Sequence, residues 1–392
     1  MPVSTKIGGF IERSSWIRKM FEEGARLKNE HGAENVFDFS LGNPNLDPTA
    51  AVQDALVDAA KETTPGIHGY MPNAGFPSVR AAVAKKINED EGLQLDENWI
   101  VMTVGAGGAL NVVLKTILNP DDEVICPKPC FVEYVFYADN HGGSAIMVPT
   151  LDDFSLDLDE IDKAVTPKTA AVLINSPNNP TGRVYSGKEI QALATLLERK
   201  SREIGRAIVL ISDEPYRAIT YEGVQVPSIL KSYANSVVVT SFSKDLSLAG
   251  ERLGYIAANP AMENAKLTMD GMVLANRILG FVNAPGIIQR AVKNVLRDVV
   301  DVGVYQRRRD RLYSMLTSFG YECVKPEGAF YLFPKSPIED DVAFVAHLQK
   351  KLILTVPGSG FGGPGYFRIA YCVSDETIEG ALKGFEEAIK EV

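Results

Sequence analysis

Three short apolar runs, each followed by a polar segment, constrain the fold of this chain more than any other feature. The runs occupy residues 170–174, 207–211 and 236–240 and are rich in Val, Ile and Leu. Short, continuously apolar runs separated by helical patterns are typical of buried parallel strands. Ligands of open α/β sheets bind beyond the carboxyl ends of such strands. We therefore expect the polar side chains that follow the three runs to converge on one crevice.

The polar segments supply an amide, an acid, a phenol, a lysine and an arginine. They read Asn-Asn-Pro-Thr-Gly at 178–182, Asp-Glu-Pro-Tyr at 213–216 and Ser-Phe-Ser-Lys at 241–244, and Arg252 follows eight residues after Lys244. Taken singly, a lysine is usually a surface residue and an aspartate is often a helix cap. A lysine attacks an aldehyde only as the neutral amine, so such a site must lower its pKa. Together at three strand ends, these residue types predict an enzyme site with an electron-sink cofactor.

Composition limits the possible partners and locations. Of 392 residues, Lys and Arg total 40 and Asp and Glu total 50, a formal charge of −10. An acidic chain without a basic stretch disfavours nucleic acid and membrane surfaces as partners. No apolar run is long enough for a membrane span, and residues 1–20 lack the apolar segment of a signal peptide. The four cysteines and four histidines show no metal-binding spacing, so we expect reduced thiols, no metal and a cytoplasmic location.

The middle of the chain predicts a large α/β domain, residues 46–285. Besides the three runs, we predict strands at 98–104, 123–126, 145–148 and 253–258. Helical patterns such as 187–202 lie between them and serve as crossovers. The expected architecture is a mainly parallel seven-stranded sheet flanked by helices, with 253–258 as a hairpin-like return.

Residues 1–45 and 286–392 predict a smaller α+β domain. The long helical pattern over 285–319 is read as one helix. The predicted strands of this domain are 36–40, 321–325, 329–333 and 367–371, and its other helices are 16–30, 342–351 and 375–389.

A small-residue turn between a predicted strand and helix is a candidate phosphate site. Gly105, Ala106 and Gly107 would let a phosphate approach the backbone N–H groups at the positive end of the helix. Leu110 stands where a dinucleotide fingerprint needs its last glycine, and no Gly-Lys-Ser/Thr ending is present, so NAD and ATP are both disfavoured. The hydroxyls of Ser241 and Ser243 and the guanidinium of Arg252 form a second phosphate-binding element.

These motifs together resemble the class I/II aminotransferases, which are fold-type I enzymes dependent on pyridoxal 5′-phosphate. The resemblance runs from Ser-Leu-Gly-Asn-Pro at 40–44 to Phe-Arg-Ile-Ala at 367–370 and so covers nearly the whole chain. It implies the pyridoxal phosphate-dependent transferase fold, which agrees with the two domains predicted above. It also implies transfer of an amino group from an L-amino acid to a 2-oxo acid by a ping-pong mechanism through aldimine and ketimine intermediates.

The resemblance assigns the cofactor residues. Lys244 would hold the cofactor covalently and then shuttle the substrate proton, and Asp213 would pair with the pyridinium nitrogen. Tyr216 and Asn179 would hydrogen-bond the ring oxygen, and Phe131 would stack on the ring. The phosphate would be held by Gly105, Ala106, Gly107, Ser241, Ser243 and Arg252.

The resemblance also assigns substrate and partner residues. Arg368 would bind the substrate α-carboxylate through a planar, bidentate pair, with the backbone at Gly42 and the side chain of Asn179 nearby. Tyr70 would reach the phosphate of a neighbouring subunit, which implies a homodimer with shared active sites.

Two questions stay open at this point. The same cofactor residues serve fold-type I lyases, for example C–S β-lyases, so a lyase is the alternative function. The amino donor is expected to be neutral or aromatic, with 2-oxoglutarate as acceptor. Arg277 is a candidate for reading a distal carboxylate, which would instead favour aspartate.

Overall fold

The computed structural model describes residues 2–392, and for residues 12–21 it describes the backbone alone. The chain forms two compact units. The small unit contains the residues up to Asn45 together with Gly303–Pro326 and Phe330–Val392. The large unit contains Leu46–Val302 and Glu327–Ala329.

The helices and strands follow in chain order. The α-helices are α1 Thr5–His31, α2 Ala50–Lys61, α3 Pro77–Glu91, α4 Gly105–Ile117, α5 Glu133–Asp139, α6 Leu158–Ala164, α7 Gly187–Ile204, α8 Ile229–Ser232, α9 Ala265–Ile278, α10 Gly286–Val292, α11 Val302–Phe319, α12 Asp341–Gln349 and α13 Asp375–Lys390. The strands are β1 Phe37–Asp38, β2 Ile100–Thr103, β3 Glu123–Lys128, β4 Ser144–Pro149, β5 Thr169–Asn175, β6 Val209–Asp213, β7 Ser236–Ser241, β8 Gly254–Ala258, β9 Tyr331–Leu332, β10 Ile353–Leu354, β11 Val356–Pro357 and β12 Phe367–Ala370.

The large unit is built on a seven-stranded sheet in the order β2-β8-β7-β6-β5-β3-β4. Strands β4, β3, β5, β6 and β7 pair in parallel, and β8 is antiparallel to both β7 and β2. The predicted seven-stranded, mainly parallel sheet is confirmed, as is the antiparallel return after the third apolar run. Parallel strands require crossovers on the faces of the sheet, and helices supply them.

The apolar runs fill cores on both faces of this sheet. Val172 and Ile174 of β5 belong to one buried cluster, whereas Ala171 and Leu173 belong to another. Successive side chains of a strand point to opposite faces, so a run without polar interruption fits a sheet that is covered on both sides.

The sequence predicted one helix over 285–319, and this prediction is wrong in its middle. The structure has α10, then non-helical backbone, then α11. In the interruption, the Val300 N–H donates to the carbonyl of Asp245 at 2.9 Å, and Thr49 Oγ1 donates to Asp298 at 2.8 Å. The first bond takes the Val300 N–H out of a helical pattern, and the second fixes Asp298 against the start of α2. The side chains of Val292, Val295 and Leu296 are buried in the large unit's core. Residues 286–302 therefore pack with the large unit, whereas the predicted domain boundary lay at 285.

The small unit contains two sheets. Strand β1 pairs in parallel with β10, and β11, β12 and β9 form an antiparallel sheet with β12 in the middle. The predicted strand at 321–325 is wrong, because Tyr321 enters an aromatic core instead. Its ring centroid lies 5.9 Å from that of Phe367, and its hydroxyl donates to the carbonyl of Phe385 at 2.9 Å.

Among residues 2–392, no helix is both long and apolar enough to cross a membrane. No group of three or more His, Cys, Asp or Glu side chains among those residues could hold a metal ion. The cysteines Cys126, Cys130, Cys323 and Cys372 are free thiols.

Candidate active site

The polar segments after β5 and β6 are joined by hydrogen bonds. The two strands are parallel neighbours, and Asn175 lies opposite Asp213 in their register. The side-chain amide of Asn175 donates to the carbonyl of Asp213 at 2.8 Å, and the Asn179 N–H donates to Asn175 Oδ1 at 2.7 Å. Asn179 is buried. Asn175 therefore links Asp213 to Asn179 at the edge where the carboxyl ends of β5 and β6 meet.

Asp213 is a buried carboxylate with an oxygen left unpaired. Its side chain is 5% exposed. The hydroxyl of Tyr134 donates to Oδ2 at 2.6 Å, while Oδ1 is buried without a hydrogen-bond partner. Burial raises the pKa of Asp213 to about 7, although the bond from Tyr134 opposes the rise. A buried acid with an open oxygen suits a cationic N–H donor such as a protonated pyridine nitrogen.

Lys244 lies beside Tyr216. Its Nζ is 5.7 Å from the centroid of the Tyr216 ring, which is almost fully buried. The loop that carries Lys244 is fixed on both sides, since the Phe242 N–H donates to Leu253 and the Leu248 N–H donates to Phe242, each at 3.1 Å. The structure thus brings the predicted amine and phenol together and holds the amine on an ordered loop.

The small-residue turn lies against the predicted arginine. Gly105 begins α4 with φ of +67°, and a Cβ on it would be 2.9 Å from Nη2 of Arg252. Arg252 itself has φ of +56° and donates from Nη1 to the carbonyl of Ala249 at 3.0 Å. Ala106 and Gly107 continue the first turn of the same helix. Helix N–H groups beside a guanidinium form a cradle that suits a phosphate.

The predicted serines lie at the end of β7. Both Ser241 and Ser243 are buried, and the Ser243 N–H lies 3.5 Å from Ser241 Oγ. Ser241 pairs with Gly254 in the register of β7 and β8. A Cβ at position 254 would lie 2.8 Å from the backbone of Gly105, so the serine strand and the phosphate turn are close neighbours.

Helix α5 supplies two tyrosines that the sequence analysis missed. Tyr134 bonds Asp213, and the Tyr137 hydroxyl would be 3.0 Å from a Cβ on Gly107. Burial, and next the nearby charge of Glu133, raise the pKa of Tyr137 to about 12. Residues three apart share a helix face. The three-residue spacing of Tyr134 and Tyr137 was therefore the signal that could have identified them.

The two predicted aromatic residues differ in burial, and the arginine considered for a distal carboxylate is exposed. Phe131 is half-buried and makes an edge-on contact with Tyr134, with the ring centroids 5.7 Å apart. Tyr70 is 93% exposed, so its own chain does not bury it. Arg277 is exposed on α9.

The predicted carboxylate-binding residues belong to the small unit. Arg368, in the middle strand β12, is buried and donates from Nη2 to the carbonyl of Ser40 at 2.7 Å. Its Cζ lies 4.7 Å from the ring centroid of Tyr331 and 4.7 Å from that of Phe361. Gly42 is next to Tyr331, because a Cβ at position 42 would lie 1.9 Å from the tyrosine oxygen.

Comparison with known proteins finds one family across the chain. Residues 34–385 match the family described as aminotransferase class I and II. The chain is 32% identical to "Aromatic-amino-acid aminotransferase 2" of Thermococcus litoralis and 32% identical to "Aspartate aminotransferase" of Pyrococcus abyssi, in each case over 96% of both chains. A crystal structure of an amino transferase from Eubacterium rectale is similar with a TM-score of 0.96 and 37% identity, covering 100% of this chain and 99% of that one. The aspartate aminotransferase of Thermotoga maritima is similar with a TM-score of 0.87 and 29% identity, over 99% and 100% of the two chains.

Proposed function

The chain belongs to the class I and II aminotransferases, and on that premise we propose which residues carry out each part of its reaction. It is a pyridoxal phosphate-dependent aminotransferase, which moves an amino group from an amino acid to a 2-oxo acid. The observation that most supports the assignment of residues is the buried, unpaired oxygen of Asp213. The relatives reported above are named as aminotransferases, and no feature of the site favours the alternative lyase.

The residues of the large unit fit the cofactor. When bound, pyridoxal phosphate supplies an electron sink that stabilises negative charge on the amino-acid Cα. Asp213 would pair with its ring nitrogen, Asn179 and Tyr216 would bond its ring oxygen, and Phe131 would cover its ring. The phosphate would be held by Gly105, Ala106, Gly107, Ser241, Ser243 and Arg252.

Lys244 would hold the cofactor aldehyde and act as the base. Once released, its Nζ takes the proton from the substrate Cα, which requires the neutral amine. The test is reduction of the purified enzyme with borohydride, followed by digestion and mass spectrometry. The cofactor mass is expected on the peptide that contains Lys244, and Lys244→Ala is expected to lose nearly all turnover. A label on another lysine, or wild-type turnover in the variant, would refute the assignment.

We propose a neutral or aromatic amino acid as donor and 2-oxoglutarate as acceptor. The similarity to an aromatic-amino-acid aminotransferase supports this choice, and the turn residues Gly107 and Gly108 offer no cation for a distal carboxylate. The test measures kcat/KM for phenylalanine, tyrosine, leucine and aspartate with 2-oxoglutarate. A preference for aspartate that Arg277→Ala abolishes would overturn the proposal and assign Arg277 to the distal carboxylate.

The active form is proposed to be a homodimer in which Tyr70 reaches the neighbour's phosphate. The nearly full exposure of Tyr70 supports this, as does an exposed apolar stripe on α9 formed by Leu267, Leu274 and Ile278. The residues of this stripe are spaced by seven and four, so they share one helix face.

A mixing experiment tests the shared site. Tyr70→Ala and Lys244→Ala homodimers are each expected to be nearly inactive. A heterodimer of the two variants would contain one site with an intact lysine and an intact tyrosine. Because random mixing makes half of the dimers mixed, about a quarter of the wild-type activity should return. No recovery after subunit exchange would contradict the sharing of Tyr70.

A cytoplasmic location completes the proposal. Cys126 and Cys130 are buried free thiols, which is the state expected in a reducing compartment. Fractionation of the source cells tests it, and recovery of the enzyme outside the cytoplasm would refute it.

A further inference from the structure

Two aromatic side chains contact the guanidinium of Arg368, one from a neighbouring strand and one from the short helix after the other neighbouring strand. Tyr331 belongs to β9, and Phe361 ends the short 3₁₀ helix that directly follows β11. Arg368 lies on β12 between β9 and β11, with its Cζ 4.7 Å from each ring centroid. We propose that Tyr331 and Phe361 are positioning residues that fix the plane of Arg368 for the substrate carboxylate. This inference rests on the proposed role of Arg368.

The register of the small sheet builds this arrangement. Ala370 lies opposite Tyr331, and Arg368 lies opposite Val356. Arg368 and Ala370 are two residues apart and so point to the same face, which makes Tyr331 a diagonal neighbour of Arg368. Alanine at position 370 adds only a methyl group, which leaves room for the tyrosine ring to approach the guanidinium.

The contacts restrict how the guanidinium can rotate. Aromatic faces attract a guanidinium and stack on its plane. Its N–H groups all point within that plane, and a carboxylate is bound by two parallel N–H bonds only when it lies in the same plane. Rings beside Arg368 therefore select the plane in which a carboxylate is accepted. A lysine at this position would have no plane to select.

The acceptor of Arg368 is also fixed. Ser40, whose carbonyl accepts from Nη2, donates from its hydroxyl to Asp38 Oδ1 at 2.6 Å. Asp38 in turn forms an ion pair with Lys28 at 2.6 Å. The guanidinium is thereby anchored at one edge, while the rings set its tilt.

The same geometry explains why position 42 is a glycine. A Cβ at this position would lie 1.9 Å from the hydroxyl oxygen of Tyr331 and 2.7 Å from the adjacent ring carbon. Any other residue would have to displace the Tyr331 ring from Arg368. Gly42 thus keeps Tyr331 in place, in addition to any contact of its own backbone with substrate.

The experiment removes each ring and measures carboxylate binding. Phe361→Leu and Tyr331→Leu are each expected to raise the KM for the amino donor about 3- to 30-fold, from the usual strength of a cation–π contact, with little change in kcat. Tyr331→Phe keeps the ring and should restore a low KM relative to Tyr331→Leu. The matched control is Tyr366→Leu, because Tyr366 stacks on Phe333 in the same aromatic group, with centroids 5.2 Å apart.

A second readout separates positioning from a general effect on the fold. Calorimetry with 3-phenylpropionate, a plain carboxylate, should show the same loss of affinity in the two leucine variants of the holoenzyme. The reaction with phenethylamine, which lacks the carboxylate, should be unchanged in them. The positioning role is refuted if the leucine variants slow the phenethylamine reaction as much as the amino-acid reaction. It is also refuted if both variants change the KM and the carboxylate affinity no more than Tyr366→Leu does.

The arginine variant tells the two proposals apart. If Arg368→Lys leaves KM unchanged, the proposed role of Arg368 fails, and the positioning role fails with it. If Arg368→Lys raises KM while Phe361→Leu does not, only the positioning role fails. If both hold, Phe361→Leu should add less in the Arg368→Lys background than alone, because the two changes remove one interaction.

Discussion

Replacing Asp213 with asparagine tests whether the cofactor-free protein carries a buried charge without a partner. Burial raises the pKa of Asp213 to about 7, from an ordinary value of 3.8. Between these pH values the native state holds more protons than the unfolded chain, so the free energy of unfolding falls as pH rises, by up to about 1.4 kcal/mol per pH unit. The loss begins near the unfolded pKa, totals about 4 kcal/mol and is complete above the folded pKa.

The measurement is urea unfolding of the cofactor-free wild type and of Asp213→Asn from pH 5 to pH 8. Asparagine does not titrate and still accepts the bond from Tyr134, so we expect the wild type to lose about 2.5 kcal/mol relative to the variant over this range. Asp58→Asn, which removes an exposed carboxylate on α2, controls for the loss of one formal charge. With saturating pyridoxal phosphate at pH 8, the wild type should instead have the higher free energy of unfolding, because its carboxylate then gains a partner. Parallel pH curves for the wild type and Asp213→Asn would refute the reasoning.

Two further substitutions test the other ends of the cofactor site. Gly105→Ala should weaken pyridoxal phosphate binding about 10-fold or more, because φ is +67° there and the new Cβ would lie 2.9 Å from Arg252 Nη2. Titration of the cofactor-free protein measures it, with Gly187→Ala, which meets nothing within 4 Å, as control; equal affinities would contradict the cradle. Tyr134→Phe removes a hydrogen bond that lowers the pKa of Asp213, so that pKa should rise above its wild-type value. In Tyr134→Phe, the loss of stability should therefore level off at a higher pH than in the wild type. The same pH in both proteins would show that the bond does not affect the pKa of Asp213.

The large sheet could be predicted because its strands are buried on both faces. Runs such as 170–174 leave no polar residue inside the element, and their length excludes a long helix. The interruption between α10 and α11 could not be predicted in the same way. Its apolar residues keep a helical spacing, but the backbone N–H of Val300 bonds to Asp245, which is far away in the sequence. Such a distant partner leaves no local signal.

The residues of the candidate site also differ in whether the sequence could predict them. Asp213, Tyr216 and Lys244 follow strand ends, so the topology rule alone places them at one edge of the sheet. Tyr134 acts from α5, and the sequence analysis assigned no chemistry to this segment beyond Phe131. The position of Phe361 could not be predicted from the sequence, because it follows a strand of two residues whose pairing depends on contacts across the small unit.

The extent of the large unit bears on the loop that carries Lys244, the lysine proposed to react. Asp245 follows Lys244 in the chain, and its carbonyl accepts from the Val300 N–H at 2.9 Å while its Oδ1 accepts from the Leu246 N–H at 2.9 Å. Residues 286–302, predicted as part of the small domain, are thus bonded to the loop that carries the amine. In the role proposed for Lys244, which is to hold an aldehyde and then reach the substrate Cα, a fixed loop beneath a mobile side chain is required. Because Val300 belongs to the large unit, this support comes from the same unit that contains Asp213.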